Sequence, residues 1–342
     1  MSMARLDQLK DTLERLTASG GSRSAPAGEG RGRKAASPAQ IPTIGWMDVL
    51  WRAWTSVSND NLFLVAGGVT YAVLISLFPA LAAFVSIYGL LLDPSQVEKQ
   101  MSALSGVLPD QSRQLLADEL HKLVSASSGT LGLSAFVGLL LALWSASRGM
   151  SGLISALNIA YEENEKRGFF KLNLLAVGLT IVLMIGGATV MALVAALPAA
   201  VQLVGINGMT KWLLLVLEWP LLIVIVMMGL AVLYRYGPAR AKPQWRWVSS
   251  GAVAAGTLWI TASVAFTVYV ANFSSYDKTY GSLGGVVILL TWLYLSAFVV
   301  LFGAVINAQS EKQTRKETTE GPPKPMGERG ARAADTLGPT RG

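Results

Sequence analysis

The sequence contains no cysteine, one histidine and few charged residues, and each shortage excludes a class of function. A chain without cysteine forms no disulfides, and the single histidine, His121, cannot supply the usual ligand sets of zinc or haem or a Cys-His nucleophile pair. Charged residues make up 14% of the chain, against about 25% in an ordinary soluble domain. The composition therefore argues against a water-soluble enzyme, and we predict no catalytic residues, no metal and no cofactor.

Apolar residues are abundant, at 52% of the chain, and they are gathered into six runs that hold few charges or none. A membrane-spanning helix needs about 20 mostly apolar residues, whereas a strand of a membrane barrel needs only about 10 alternating ones. The runs have the length of helices, and the predicted spans are about 62–92, 131–160, 172–200, 212–236, 247–276 and 279–310. We predict an all-α, polytopic membrane protein whose six-span membrane domain covers residues 45–310.

The basic residues predict the orientation of these spans. When the loops are assigned alternately to the two sides of the membrane, 23 of the 28 Lys and Arg residues fall on one side and five on the other. Loops rich in Lys and Arg stay in the cytoplasm, so both termini are expected there. The net charge of +7 then reflects topology and attraction to anionic headgroups. We expect membrane lipids as partners, and no nucleic acid.

An amphipathic helix is predicted directly before the first span. One face of this helix carries Trp46, Leu50, Trp54 and Val57, and the other carries Asp48, Arg52 and Ser56. Indole rings favour the headgroup boundary of a membrane. The pattern therefore indicates an N-terminal interfacial helix that lies in the plane of the membrane.

A loop and two tails complete the predicted domain organisation. The 93–130 loop predicts two amphipathic helices on the extracytoplasmic side, either resting on the bundle or forming a lid over an outward-facing opening. The 1–44 tail contains a short helix with leucines at helical spacing and, over 19–42, a linker rich in Gly, Ser, Ala and Pro that is expected to be flexible. The 311–342 tail, which includes GPPKP, is expected to be a disordered cytoplasmic segment.

Four long stretches of the sequence carry a resemblance to a known family. They are AGGVTYAVLISLFPALAAFVSIYGLLLDP in the first span, WSASRGMSGLISALNIAYEENEKRG at the end of the second, YRYGPARAKPQWRWVSSG in a basic loop, and YVANFSSYDKTYGSLGGVVILLTWLYLSAFVVLFGAVINA in the last hairpin. In this order they resemble the YihY/BrkB family of bacterial inner-membrane proteins, over the chain from about Trp46 to Glu311. The resemblance implies six spans, both ends inside and a place in the inner membrane.

The activities that the resemblance implies do not agree with one another. Members have been named as serum-resistance virulence factors and once as a ribonuclease, and some have been linked to export of lipid or lipopolysaccharide precursors. In the last span the family often has an acidic residue where this chain has Val305, two residues before Asn307. A role of that carboxylate in carrying protons or binding a cation therefore does not carry over to this chain.

Polar residues inside the spans are candidates for substrate binding, because they are costly in hydrocarbon. Arg148, near the inner end of the second span, either snorkels to the headgroups or faces the bundle and holds an anionic headgroup or phosphate. At the outer end of the fifth span an aromatic belt explains Tyr276, and Tyr280 beyond the hairpin, but not Asn272. Glu218 is either a protonatable group within the fourth span or part of a helix entrance with the Trp-Pro pair that follows it.

A further set of residues is assigned to structure. Asn158 and Glu165 fall on one face where the second span continues into the cytoplasm, and Arg167 follows two residues later. They predict either a helix terminus or, for Asn158, a contribution to substrate binding. Pro79 marks a kink point, Pro238 lies in the basic loop of the resemblance, and the glycines at the start of the sixth span let two backbones approach closely. The assigned structural residues are Pro79, Glu165, Arg167, Pro238, Gly281 and Gly284.

Three functions follow from these features. The first is a transporter or lipid-handling protein for an envelope lipid or another anionic amphiphile, favoured by the resemblance and by the polar residues in the spans. The alternative is a non-transporting scaffold whose amphipathic helices dock envelope proteins or a second copy of the chain. A ribonuclease with two metals needs clustered carboxylates, and only Glu162, Glu163 and Glu165 form such a group on the cytoplasmic side.

Overall fold

The computed structural model describes residues 30–91, 133–203, 208–272 and 282–341, and these contain helices and no β-strand. The helices are α1 (Thr43–Asn59), α2 (Leu62–Leu91), α3 (Leu133–Ala160), α4 (Phe169–Leu203), α5 (Met209–Tyr236), α6 (Trp245–Asn272), α7 (Ser282–Glu311) and the short α8 (Arg332–Asp335). Six of them, α2 to α7, are long and apolar enough to cross a membrane. The predicted fold class, an all-α membrane protein with six spans, is confirmed.

The six long helices form a ring in chain order. Each helix from α2 to α7 packs against the next, and α7 packs back against α2. Because the number of spans is even, α2 begins on the side of the ring where α7 ends. We call this the terminal side and the other the opposite side. Helix α1 lies on the terminal side and packs against α7 and α2.

Buried residues fill the terminal side of the ring. The main apolar cluster includes Leu157 and Tyr161 at the end of α3, Tyr234 near the end of α5 and Leu301 in α7. The Tyr234 hydroxyl donates a hydrogen bond of 2.7 Å to the carbonyl of Val300. Since α5 and α7 are not neighbours in the ring, this bond shows that the ring is closed across its centre at this depth.

Two glycines allow α6 and α7 to approach closely on the terminal side. A Cβ atom at Gly251 would lie 2.1 Å from the carbonyl oxygen of Gly303, and a Cβ at Gly303 would lie 2.5 Å from the Tyr234 hydroxyl. Beside this contact, the Asn307 side-chain oxygen accepts a hydrogen bond of 2.6 Å from the Gly251 N–H. Small residues at this crossing therefore let one backbone sit against the other.

Helix α1 has two faces, with its polar residues turned inward, but the predicted apolar face is confirmed only in part, because Val57 is buried and Trp46 packs against the core. Leu50 and Trp54 are exposed, whereas Asp48 and Arg52 are buried. The polar face is covered by the end of α7 and by the C-terminal tail, which supply hydrogen-bond partners for Asp48 and Arg52. The exposed apolar face leaves α1 suited to the membrane interface.

The prediction of a disordered 311–342 tail is wrong for its described part, 312–341. Arg329 is buried and donates hydrogen bonds to the carbonyls of Arg315, Lys316 and Ala334. Asp335 accepts hydrogen bonds from backbone N–H groups, including those of Gly327 and Arg329. The tail folds because these polar groups and the helix ends beneath it satisfy its backbone, although it is poor in apolar residues.

The predicted flexible linker over 19–42 is also corrected for the part from residue 30 onward. Ala35 and Ile41 are buried in a small cluster with Trp247 of α6. Arg33 donates to the carbonyl of Gly338 at 2.6 Å, so the linker and the C-terminal tail hold each other on the terminal side.

Several predictions concern residues that lie outside the described ones. They are the leucine-patterned helix of the 1–29 segment, the amphipathic helices of the 93–130 loop, and the residues Tyr276, Tyr280 and Gly281. These stay predictions.

Candidate functional site

A buried ion pair on the terminal side joins the ends of α3, α5 and α7, which are not neighbours along the ring. Arg240, in the loop between α5 and α6, lies 2.6 Å from the carboxylate of Glu311 at the end of α7, and both side chains are fully buried. The guanidinium also lies over the ring of Tyr161, which follows α3, at 5.0 Å from the ring centroid. The Thr318 hydroxyl of the tail also donates a hydrogen bond of 2.8 Å to the Glu311 carboxylate. The pair therefore ties α3, α5 and α7 together and closes the centre of the ring.

A second polar cluster fastens the turn after α3 to the end of α5. Arg167 forms a two-pronged ion pair with Glu165, with both N–O distances at 2.7 Å, and donates to the carbonyl of Gly237 at 2.8 Å. Asn158 donates to Glu165 at 2.9 Å and accepts from the Ala239 N–H at 2.7 Å. The Arg167 guanidinium, with burial opposing it, lowers the pKa of Glu165 to about 2. All polar groups of Asn158, Glu165 and Arg167 that the structure describes are thus engaged in holding two loops, which agrees with a structural role.

Arg148 lies on the outer surface of the ring. Its side chain is exposed, its guanidinium lies over the Trp144 ring at 4.7 Å from the centroid, and it donates a long hydrogen bond of 3.4 Å to Asn173 of α4. Of the two predicted alternatives, this placement fits a side chain that faces lipid and headgroups rather than the bundle interior.

Glu218 lies within α5, and the helix-entrance interpretation is wrong. The helix begins at Met209, so Glu218 is its tenth residue, and Pro220 also lies inside the helix. The Glu218 side chain is buried, with 9% of its surface exposed. It is therefore the one acidic residue among the described parts of the six spans that lies toward the opposite side.

The other predicted residues have the following places. Asn272 is the last residue of α6, Gly284 is buried near the start of α7, and Pro79 lies inside α2. Pro238 is buried in the loop that carries Arg240, whose N–H bonds to the Pro238 carbonyl at 3.0 Å. The structure thus does not bring Arg148 and Asn272 together, since Arg148 lies midway along α3 and Asn272 ends α6 on the opposite side.

The sequence reasoning missed the central residues of the terminal side. In the sequence Arg240 is only one of the basic residues of a loop, and Glu311 is the first residue of the tail that is predicted to be disordered. The available signal was that Glu311 is the first charge after a long uncharged run. Val305, where the family often has an acidic residue, is fully buried among apolar side chains.

The three carboxylates that a nuclease would need are each held by cations or backbone groups. Glu165 pairs with Arg167, Glu162 contacts Lys312 and Arg332, and Glu163 accepts the Arg332 N–H at 2.6 Å. Among the residues that the structure describes, no group of three acidic or histidine side chains is placed to hold a metal ion.

Comparison with known proteins places the sequence among bacterial membrane proteins. Residues 53–327 match the family described as Virulence factor BrkB. The ribonuclease-like protein YfkH of Bacillus subtilis (strain 168) is 31% identical over 255 residues, which are 72% of this chain and 88% of that protein. The UPF0761 membrane protein of Tolumonas auensis is 26% identical over 272 residues, which are 78% of this chain and 87% of that protein.

A further relative is longer than this chain. The UPF0761 membrane protein RC1_0578 of Rhodospirillum centenum is 29% identical over 304 residues, which are 85% of this chain but 64% of that protein. No solved structure matches the sequence.

Proposed function

Because the chain belongs to the virulence factor BrkB family and two of its spanning helices, α4 and α5, contain long stretches without a buried residue, we propose that it binds and moves an anionic amphiphile, such as an envelope lipid, in the membrane. The terminal side then faces the cytoplasm, as the excess of Lys and Arg on that side favours.

The observation that carries this proposal is the uneven burial along α4 and α5. Near the terminal side, α4 has buried residues from Asn173 to Thr180, and α5 has them from Leu233 to Arg235. Farther toward the opposite side, no residue is buried over 181–194 of α4 or over 219–232 of α5. The side chains of these stretches are thus accessible from outside the bundle, which supports a guest that lies against them.

The chemistry of these stretches favours an acyl chain as the guest. Neither 181–194 nor 219–232 contains a charged residue, and most of their side chains are aliphatic. A hydrated ion would meet no compensating charge there, whereas a hydrocarbon chain loses nothing by entering. Arg148, on the outer surface where α3 meets α4, supplies a guanidinium for an anionic headgroup that approaches from the lipid.

Photo-crosslinking tests this proposal. Purified protein in nanodiscs receives a phosphatidylglycerol analogue that carries a diazirine in its acyl chain, and the crosslinked residues are mapped by mass spectrometry. We expect crosslinks concentrated in 181–194 and 219–232, reduced by unlabelled phosphatidylglycerol but not by phosphatidylcholine. Crosslinks spread evenly over all six helices, with no difference between the two competitors, would show ordinary solvation by lipid and contradict the proposal.

We also propose that the chain does not cleave RNA, whatever the name of its Bacillus subtilis relative suggests. The carboxylates of Glu162, Glu163 and Glu165 are engaged as described above, which supports this view. Replacing all three by Gln should leave any RNA cleavage in a preparation unchanged. Loss of cleavage in the folded triple variant would assign the activity to this chain.

A further inference from the structure

A cavity of about 330 Å³ lies on the terminal side between α1, the end of α7 and the C-terminal tail. Three cationic side chains, those of Arg52, Lys312 and Arg332, line it, with Glu162 as the acidic one. Neutral hydrogen-bonding side chains complete the walls, namely those of Thr55, Ser56, Asn59, Gln309 and Thr336. Such a lining combines positive charge with many hydrogen-bonding groups.

Among the side chains that line this cavity the cations outnumber the carboxylates, although Asp60 and Asp48, which lie outside the lining, also act on Lys312 and Arg52. Lys312 and Arg332 share the single carboxylate of Glu162, at 2.5 Å and 3.1 Å. Arg52 is buried, and its acceptors in the described part of the chain are all neutral oxygens, those of Gln309, Gln313 and Pro339. The cavity lining therefore carries a net charge of about +2, which favours an anion.

The position of the cavity indicates where the anion comes from. Trp51, which lines the cavity, is 38% exposed and lies beside Leu50 and Trp54 on the exposed apolar face of α1. An in-plane helix with such a face sits at the boundary of headgroups and acyl chains. On this placement of α1 we expect the cavity to open at the depth of the phosphates of the adjacent leaflet.

We propose that this cavity binds the phosphate group of an anionic phospholipid, whose acyl chains extend along the exposed face of α1. The guanidinium of Arg332 and the ammonium of Lys312 contact the phosphate, and Arg52 supplies the buried positive charge behind them. The site is separate from the α4 and α5 stretches and does not depend on movement of lipid. Its effect is to fasten α1 and the folded tail to the membrane surface.

A lipid titration tests this site. The full chain in detergent micelles is titrated with dioctanoyl phosphatidylglycerol, dioctanoyl phosphatidylcholine or inorganic phosphate, and binding is followed by microscale thermophoresis. We expect saturable binding of phosphatidylglycerol that is at least tenfold tighter than that of phosphatidylcholine, and no displacement by inorganic phosphate at equal concentration. Equal binding of the two lipids would overturn the proposal, and displacement by inorganic phosphate would assign the cavity to a soluble anion instead.

Three variants locate the binding in the cavity. A cation near a membrane surface contributes about 1 kcal/mol to anionic lipid binding, so Lys312→Gln with Arg332→Gln should weaken phosphatidylglycerol binding roughly 25-fold. Glu162→Gln should strengthen it several-fold, an increase that a merely structural role of Glu162 does not produce. The control is Lys166→Gln, an exposed cation on the same side whose side chain is 69% exposed, and it should change binding less than twofold. Equal losses in the double variant and in the control, or weaker binding by Glu162→Gln, would contradict the assignment.

Discussion

Two buried arginines on the terminal side are compensated in different ways. Burial alone lowers the pKa of Arg240, but the attraction of Glu311 outweighs it and the pKa is raised. Burial, with a smaller effect of Arg33, lowers the pKa of Arg52 to about 10, and the attraction of Asp48 only partly offsets this. Both groups stay charged at neutral pH. Arg240 depends on one carboxylate, whereas Arg52 depends on several oxygens of α7 and the tail.

The Arg240 pair makes a strong prediction about stability. Glu311→Gln leaves the Arg240 charge buried without a carboxylate, which should lower the free energy of unfolding by about 3–5 kcal/mol. The control is Glu320→Gln, whose carboxylate is 48% exposed and whose loss leaves Arg235 bonded to the carbonyl of Pro243, so it should cost clearly less than Glu311→Gln. Unfolding by sodium dodecyl sulfate in mixed micelles, followed by circular dichroism, gives both values. Similar small losses in both variants would show that the buried pair does not hold the ring closed.

The depressed pKa of Glu165 predicts a dependence of stability on pH. The pKa is about 2 in the folded chain and has an ordinary value of 4.5, so the carboxylate stabilises the fold above pH 4.5. This contribution is lost as the pH falls from 4.5 to 2, and with solvent screening it amounts to about 1 kcal/mol. Unfolding of the wild type and of Glu165→Gln, measured across that range, should differ at pH 6 and converge near pH 2. A difference that stays constant with pH would contradict the ion pair with Arg167.

At the scale of the elements, the sequence predicts the spans well and the surface segments poorly. A run such as 131–160 contains enough apolar residues to cross a membrane whatever its neighbours are, and the helix α3 covers Leu133–Ala160. The tail is different. Arg329 and Asp335 bond to irregular backbone within the tail, and Arg52 of α1 bonds to the tail from far away in the chain. Composition alone cannot show such partners, and a segment rich in Gly, Pro and charges is therefore mistaken for a disordered one.

The crossing of α6 and α7 predicts a strict need for glycine. Gly251→Ala places a methyl group 2.1 Å from the Gly303 carbonyl oxygen, so the helices must separate and lose the contacts around Asn307. We expect a loss of about 2 kcal/mol or more in the free energy of unfolding. Gly178→Ala in α4 is the control, since nothing lies within 4 Å of the added methyl group, and it should be neutral within about 1 kcal/mol. Equal tolerance of both substitutions would refute the close approach.

At the scale of the whole molecule, the charge distribution and the packing point in the same direction. The side with most of the Lys and Arg residues is also the side where the ion pair, the folded tail and α1 close the ring. The count of basic residues predicts which side this is, but it contains no information about closure. Closure arises from contacts between α3, α5 and α7, which no local pattern in the sequence reveals.

The orientation can be tested because the natural chain lacks cysteine. Single cysteines replace Met209, which is 77% exposed at the start of α5, and Lys324, which is exposed in the tail. In intact spheroplasts a membrane-impermeant maleimide should label Met209→Cys, and should label Lys324→Cys only after permeabilisation. The reverse pattern would place the termini outside the cell.

The most direct test of the proposed function measures lipid movement in proteoliposomes. Phosphatidylglycerol with a fluorescent group on one acyl chain is placed in both leaflets. Dithionite does not cross the membrane, so it destroys the fluorescence of the outer leaflet only. We predict that the wild type makes most of the fluorescence accessible and that Arg148→Ala slows this, whereas the exposed Lys171→Ala does not. Loss of only the outer-leaflet fluorescence, as in protein-free liposomes, by a correctly folded wild type would contradict the account and favour a scaffold.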